Sequence, residues 1–196
     1  IPPGDPDHYF VNARGLAQKA MSIDPMNSMA YFAAFQAAHH SGDIQTGEVM
    51  AQKAIALNPN DYAMLAYFAL TRASMGDAQT AIAYDESARR LVSNPPAWFD
   101  GARLALRFIE GEYAEVAAAI GKIDPGSPIN LIIMKIASLG LTGSIEAGRE
   151  AYDHVSGGQS DYAADSLRTL RFWQIEDSHE AIIVDGWSRL GLDMKP

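Results

Sequence analysis

The chain has 196 residues, 48% of them hydrophobic, and its 15 basic and 24 acidic side chains leave a net charge of −9. No basic block occurs, so the clustered Lys and Arg that neutralise phosphates are missing, which argues against direct nucleic-acid binding. Cysteine is absent, which excludes disulfides, thiol catalysis and Cys-ligated zinc, and the longest apolar stretch, Tyr62 to Leu70, is far short of the ~20 residues that insert across a bilayer.

The chain opens on Ile1-Pro2-Pro3-Gly4-Asp5-Pro6 rather than on methionine, which predicts a piece of a longer protein. Apolar residues at helical spacing (Phe10, Ala13, Ala17, Ala20) then predict a lone helix over residues 7–23, ended by Pro25. Ser28 is expected to cap a helix through His40. Gly42 supplies a left-handed stop, and Asp43 caps the next helix, which runs to Leu57. The same plan returns with Asp61, Gly76 and Asp77, closing at Ser93-Asn94-Pro95-Pro96. In a third unit Trp98 leads to Gly111-Glu112-Tyr113 and a helix that stops before Asp124-Pro125. Ser127 as cap and Pro128 as first helical residue open a fourth, with its turn at Gly143-Ser144. Two helices follow the loop Ser156 to Ser160. The second of these opens on Asp177-Ser178-His179-Glu180, spaced as a capping box.

These units are copies of one another. Ala17-Gln18-Lys19-Ala20 recurs as Ala51-Gln52-Lys53-Ala54, and Gly42-Asp43 as Gly76-Asp77, both 34 residues on. Such a period, with a small residue at each inter-helix turn and proline closing the unit, predicts an all-α solenoid of antiparallel helix pairs with about eleven helices and no strand. One domain over residues 1–196 accounts for it, as a lone helix, hairpins at 28–61, 62–95, 96–127 and 128–159, and a degenerate capping hairpin at 160–196. In the last helix Ile182, Ile183, Trp187 and Leu190 are expected to cover the end of the array.

The pattern resembles the tetratricopeptide repeat family. Gly42 and Gly76 match its turn glycine, Ala54 and Ala88 the small residue of the second helix, and Pro59 its closing proline. The resemblance implies a right-handed superhelix whose first helices line a concave groove. The groove positions are Met29, Phe32, Gln36 and His39; Ala63, Ala66, Leu70 and Ala73; Trp98, Gly101, Ala105 and Phe108; and Asn130, Ile133, Ala137 and Gly140. This lining is nearly uncharged. Phe32, Gln36, Trp98 and Ala102 stand where the carboxylate-clamping members carry Lys, Asn and Arg, which disfavours a chaperone tail as ligand. An apolar lining suits a protein or peptide helix held by Met and aromatic anchors, a small molecule among Phe32, Trp98 and Phe108, or plain packing between repeats.

A second resemblance lies in Leu57-Asn58-Pro59-Asn60-Asp61, in the junction Asn94 to Phe99, and in the ending Gly186-Trp187-Ser188-Arg189-Leu190-Gly191-Leu192. These look like the C-terminal repeat regions of bacterial signalling proteins that carry an adenylate cyclase or winged-helix domain ahead of the repeats. That likeness implies an interaction or sensory scaffold regulating an attached output domain in bacterial signalling or transcription. It also implies the cytoplasm as compartment, with the periplasm as the alternative.

No nucleophile–base signature, phosphate loop or metal motif is present, so the segment is expected to be neither an enzyme nor a cofactor binder. The adjacent pair His39-His40 diverges by ~100° on a helix, which disfavours a shared metal and suggests imidazolium at a helix C-terminus. Acid pairs such as Asp85-Glu86 are expected to be solvated faces. The first helix is expected to pack on unit one and to leave one face exposed as a docking surface for further chain or for a second copy.

Overall fold

The computed structural model describes residues 6–121, 123 and 128–194. Eleven α-helices and no strand are found among these residues, packed as consecutive antiparallel pairs: α1 (Pro6–Ile23), α2 (Ser28–His40), α3 (Ile44–Leu57), α4 (Tyr62–Ser74), α5 (Ala78–Leu91), α6 (Gly101–Ile109), α7 (Tyr113–Ile120), α8 (Ile129–Leu141), α9 (Ile145–Ser156), α10 (Tyr162–Phe172) and α11 (Asp177–Arg189). A short 3-10 turn, Ala97–Asp100, precedes α6. The expected helix stop at Asp124-Pro125 and the cap at Ser127 lie outside the described residues.

One local device repeats along the chain and explains the hairpins. After α2 the N–H of Gly42 bonds the carbonyl of His39 and that of Asp43 the carbonyl of Ala38, so two orphan carbonyls are satisfied by a reversal that needs positive φ. Asp43 then accepts from the N–H of Thr46 and starts α3. Gly76 and Asp77 repeat this, with Asp77 accepting from Thr80. Gly111, Gly143 and Gly191 close α6, α8 and α11 by the same pair of bonds. After α10 the positive φ falls on Gln174, a side chain that tolerates it less well than glycine.

Three cap expectations differ from what is found. Asn27, not Ser28, accepts from the N–H of Ala30 and caps α2. Pro128 is itself the residue before α8, so the first helical position falls on Ile129. No capping box forms at Asp177, because α11 starts one residue early, on Asp177 itself, with Glu176 as the residue before the helix and its N–H held by the carbonyl of Ser74.

Packing between neighbouring units is aromatic on one side and Ala-rich on the other. Phe32 and Phe35 of α2 meet Tyr67 and Phe68 of α4 edge to face, at centroid distances of 4.8–6.2 Å, a geometry that aromatic rings prefer. Ala54 and Ala88, the small residues of α3 and α5, are fully buried. The largest core cluster lies in the C-terminal half, where Phe108, Ile132, Ile136 and Trp187 meet. Asp85 departs from expectation: it is buried, taking Arg89 at 2.9 Å and Arg103 at 2.5 Å, because a charge survives burial when it is paired on both sides.

Candidate functional site

The first helices of the four units, α2, α4, α6 and α8, carry the residues of the expected groove except Trp98, which sits in the 3-10 turn before α6, and the chain's own C-terminal arm, α10 to α11, lies against them. α11 packs chiefly on α8. The two approach through glycines: a β-carbon on Gly186 would stand 2.5 Å from the carbonyl oxygen of Ala137, and one on Gly140 would strike the carbonyl of Gly186. Trp187 is wholly buried there, and its Nε1–H donates to the carbonyl of Ile133 at 3.2 Å. Further along, the link between α10 and α11 crosses the ends of α2 and α4. The Glu176 N–H donates to the carbonyl of Ser74 at 3.0 Å, satisfying a helix-end acceptor.

Two aromatic residues at the end of α10 complete this seat. Phe172 stacks on His40 at 4.1 Å, and Phe10 of α1 lies 5.5 Å from its ring. Trp173 meets His40 edge-on and Tyr67 at 5.5 Å. His40 Nδ1 donates to the Phe172 carbonyl at 2.9 Å, which can only accept, so Nε2 is left to accept from the Tyr67 hydroxyl at 2.8 Å. That pattern belongs to a neutral ring. Burial lowers the His40 pKa, and burial together with neighbouring His40 lowers that of His39 to about 4. The imidazolium expected at this helix end is therefore not the form present near neutrality, since desolvation outweighs the helix dipole.

The larger and polar side chains at the expected groove positions separate into distinct settings. Leu70, Phe108, Asn130 and Ile133 line one cavity of about 50 Å³, roofed by Trp173, Ile175, His179 and Ile183 of the arm. Phe32 is half-buried in the aromatic cluster with Tyr67, whose hydroxyl also hydrogen-bonds Gln36. His39 is 3% exposed and faces away from the cavity, with Gly47 of α3 and Arg72 of α4 beside it. Met29 is 54% exposed. Trp98 packs on Phe99 at 4.7 Å and does not line the cavity.

The cavity wall is mostly apolar, and the hydroxyls of Ser74 and Thr169, which also line it, donate to the Leu70 and Asp165 carbonyls of their own helices. Asn130 Nδ2 and His179 Nδ1 are both buried and both lack a hydrogen-bond partner among the described residues. Each such orphan costs ~1–3 kcal/mol. Asn130 owes its position to Gly101, where a β-carbon would stand 3.0 Å from its amide nitrogen. His179 Nε2 lies 3.0 Å from a Glu176 carboxylate oxygen, which accepts its hydrogen bond, so that in the neutral ring Nδ1 is the acceptor. His179 belongs to the arm and has no place in the repeat register; the one sequence signal for it was an apolar face at Ile182, Ile183 and Trp187 with a histidine at its start.

Among the described residues there is no group of three His, Cys, Asp or Glu side chains that could hold a metal, and no helix is long and apolar enough to cross a membrane. Comparison of the chain with protein-family models, curated proteins and solved structures finds no match in any of the three.

Proposed function

We propose that the chain is a non-catalytic interaction and sensory scaffold of the tetratricopeptide type that regulates an attached output domain, with its C-terminal arm as the moving part. The repeat type is supported by Gly42 and Gly76, both with positive φ at equivalent turns, and by the fully buried pair Ala54 and Ala88. The observation that carries the regulatory reading is the arm's seat: α10 and α11 occupy the groove side of α2, α4 and α8, where a partner helix would lie. An internal occupant sets a threshold, because a protein or peptide that uses this surface must displace it, so affinity falls by the fraction of time the surface is covered. The His40–Phe172 and Ser74–Glu176 bonds lie at the crossing between α10 and α11, apart from the core contacts of Trp187 and Ile183, so on this reading the crossing opens while α11 stays packed on α8.

Deuterium exchange on the intact chain tests this. Amides of residues 170–180 are expected to exchange through a local opening while those of α4 and α8 exchange only on global unfolding. If arm and core exchange together at every denaturant concentration, the arm is a fixed wall and the regulatory reading fails. A second reading, a receptor for a small molecule, is favoured by the two unpartnered polar atoms in the cavity under the arm.

A further inference from the structure

We infer that the cavity between Asn130 and His179 is a binding site for a small uncharged molecule with an apolar body and one head group, a hydroxyl or primary amide, that both accepts and donates a hydrogen bond. The inference rests on the closed-groove reading and names what the closed form holds. Leu70, Phe108, Ile133 and Ile183 supply an apolar wall, and a wholly apolar cavity would stay dry and prefer a hydrocarbon. This one is not wholly apolar. Asn130 Nδ2 offers donors and the neutral His179 ring an acceptor at Nδ1, both buried and both unpartnered among the described residues. The tautomer at His179 is set from outside the cavity by Glu176 at 3.0 Å. A carboxylate would place a charge against an acceptor and a hydrocarbon would leave both groups unsatisfied, whereas a hydroxyl or amide answers each.

The size is consistent with a compact ligand. About 50 Å³ is several times the ~10–15 Å³ that one water needs on the same measure. Because the wall comes from α4, α6 and α8 and the roof from the arm, the ligand touches both sides of the joint. Its binding free energy therefore favours the seated arm over the open one.

Titrating ethanol and acetamide into the intact chain, with xenon as apolar control, tests the site by methyl NMR at Leu70, Ile133, Met134 and Ile183. Saturable shifts are expected for the alcohol and the amide, with affinity at least tenfold above xenon. Asn130→Leu and His179→Leu should abolish that preference. Ala105→Leu, which fills the cavity from α6 and keeps both polar groups, should abolish binding of all three, with circular dichroism confirming that each variant is folded. At ten times its Kd, ethanol should slow local exchange of the arm about tenfold. Absence of saturable shifts, equal affinity for xenon, or ordered waters on both polar atoms with no probe bound would each overturn the site. An arm that never opens locally would overturn the regulatory reading but leave probe binding intact, so the two failures are distinct.

Discussion

His40 and Phe172 are 132 positions apart in the chain, yet their rings stack 4.1 Å apart with planes 10° from parallel. With Phe10 also stacked near Phe172, this contact ties the arm to the first two helices. Phe172→Ala removes both ring contacts at a half-buried site, so a loss of about 2 kcal/mol is expected. The loss should fall on the arm first. Urea unfolding followed by near-UV absorbance and by exchange at residues 170–180 would show local opening favoured in the variant; a uniform loss across all helices would contradict an arm held by its own separable anchor.

A pH effect follows from the same corner. His39 is held at about 4 by burial, by neighbouring His40 and, more weakly, by Arg72 of α4, while a hydrogen bond that it donates to the Trp173 backbone carbonyl pulls the other way. Arg72 is itself paired with Glu48 of α3. In the unfolded chain the imidazole returns to about 6.5. As pH falls through 6.5 the unfolded state binds a proton that the folded state refuses until about 4, so stability present above 6.5 is lost across that window. The loss is about 3 kcal/mol from His39, and His40, lowered for the same reason, adds to it. Chemical unfolding at pH 7.5 and 4.5 should show the drop, and His39→Phe should flatten it.

Turn glycines and capping aspartates made the repeats legible, because a reversal with positive φ followed by a side-chain acceptor is a local requirement written in adjacent residues. Gly42-Asp43 and Gly76-Asp77 form as the period implies. The arm was legible only as something that must bury. Ile182, Ile183, Trp187 and Leu190 mark an apolar face, but nothing local distinguishes the end of an array from its groove; that choice depends on Gly140 and Gly186 meeting across the fold. Asp85 was misread for a related reason, since one of its two arginines, Arg103, lies on α6. Of the cavity, Leu70, Phe108, Asn130 and Ile133 were in the groove register, and the roof residues were not, because no repeat position names them.

Glycine placement gives a sharp contrast between two helices. Gly186→Ala would set a methyl 2.5 Å from the Ala137 carbonyl oxygen, backbone that cannot move aside. Overpacking of that kind is expected to cost about 3 kcal/mol and to loosen α11. Gly15 of α1 has nothing within 4 Å of its notional β-carbon, so Gly15→Ala should stabilise by about 0.5–1 kcal/mol through helix propensity alone. Thermal melts of the two variants should move in opposite directions. Two equal shifts would mean that α8 and α11 are not in backbone contact.

Deleting residues 175–196 tests the arm's structural share. Trp187, Ile183, Leu190 and Met194 are all buried, and they cover Ile133, Ile136 and Ala137 of α8. Removing them would strip an apolar face larger than the scattered exposed residues of a monomer, which promotes association. The truncated chain is expected to aggregate or to lose the order of α8 and α9, while α2 to α5, whose aromatic cluster does not include α11, keep their helicity. Size-exclusion chromatography and circular dichroism distinguish the outcomes. A truncated chain that stays monomeric and fully stable would show that α11 contributes nothing to the core. A milder deletion that keeps α11 folded but removes the ring pair, Phe172→Ala with Trp173→Ala, should leave the oligomeric state unchanged and open only the crossing over α2 and α4. Aggregation by that double variant would mean that the crossing and the α8–α11 contact fail as one unit, and that the crossing does not open by itself.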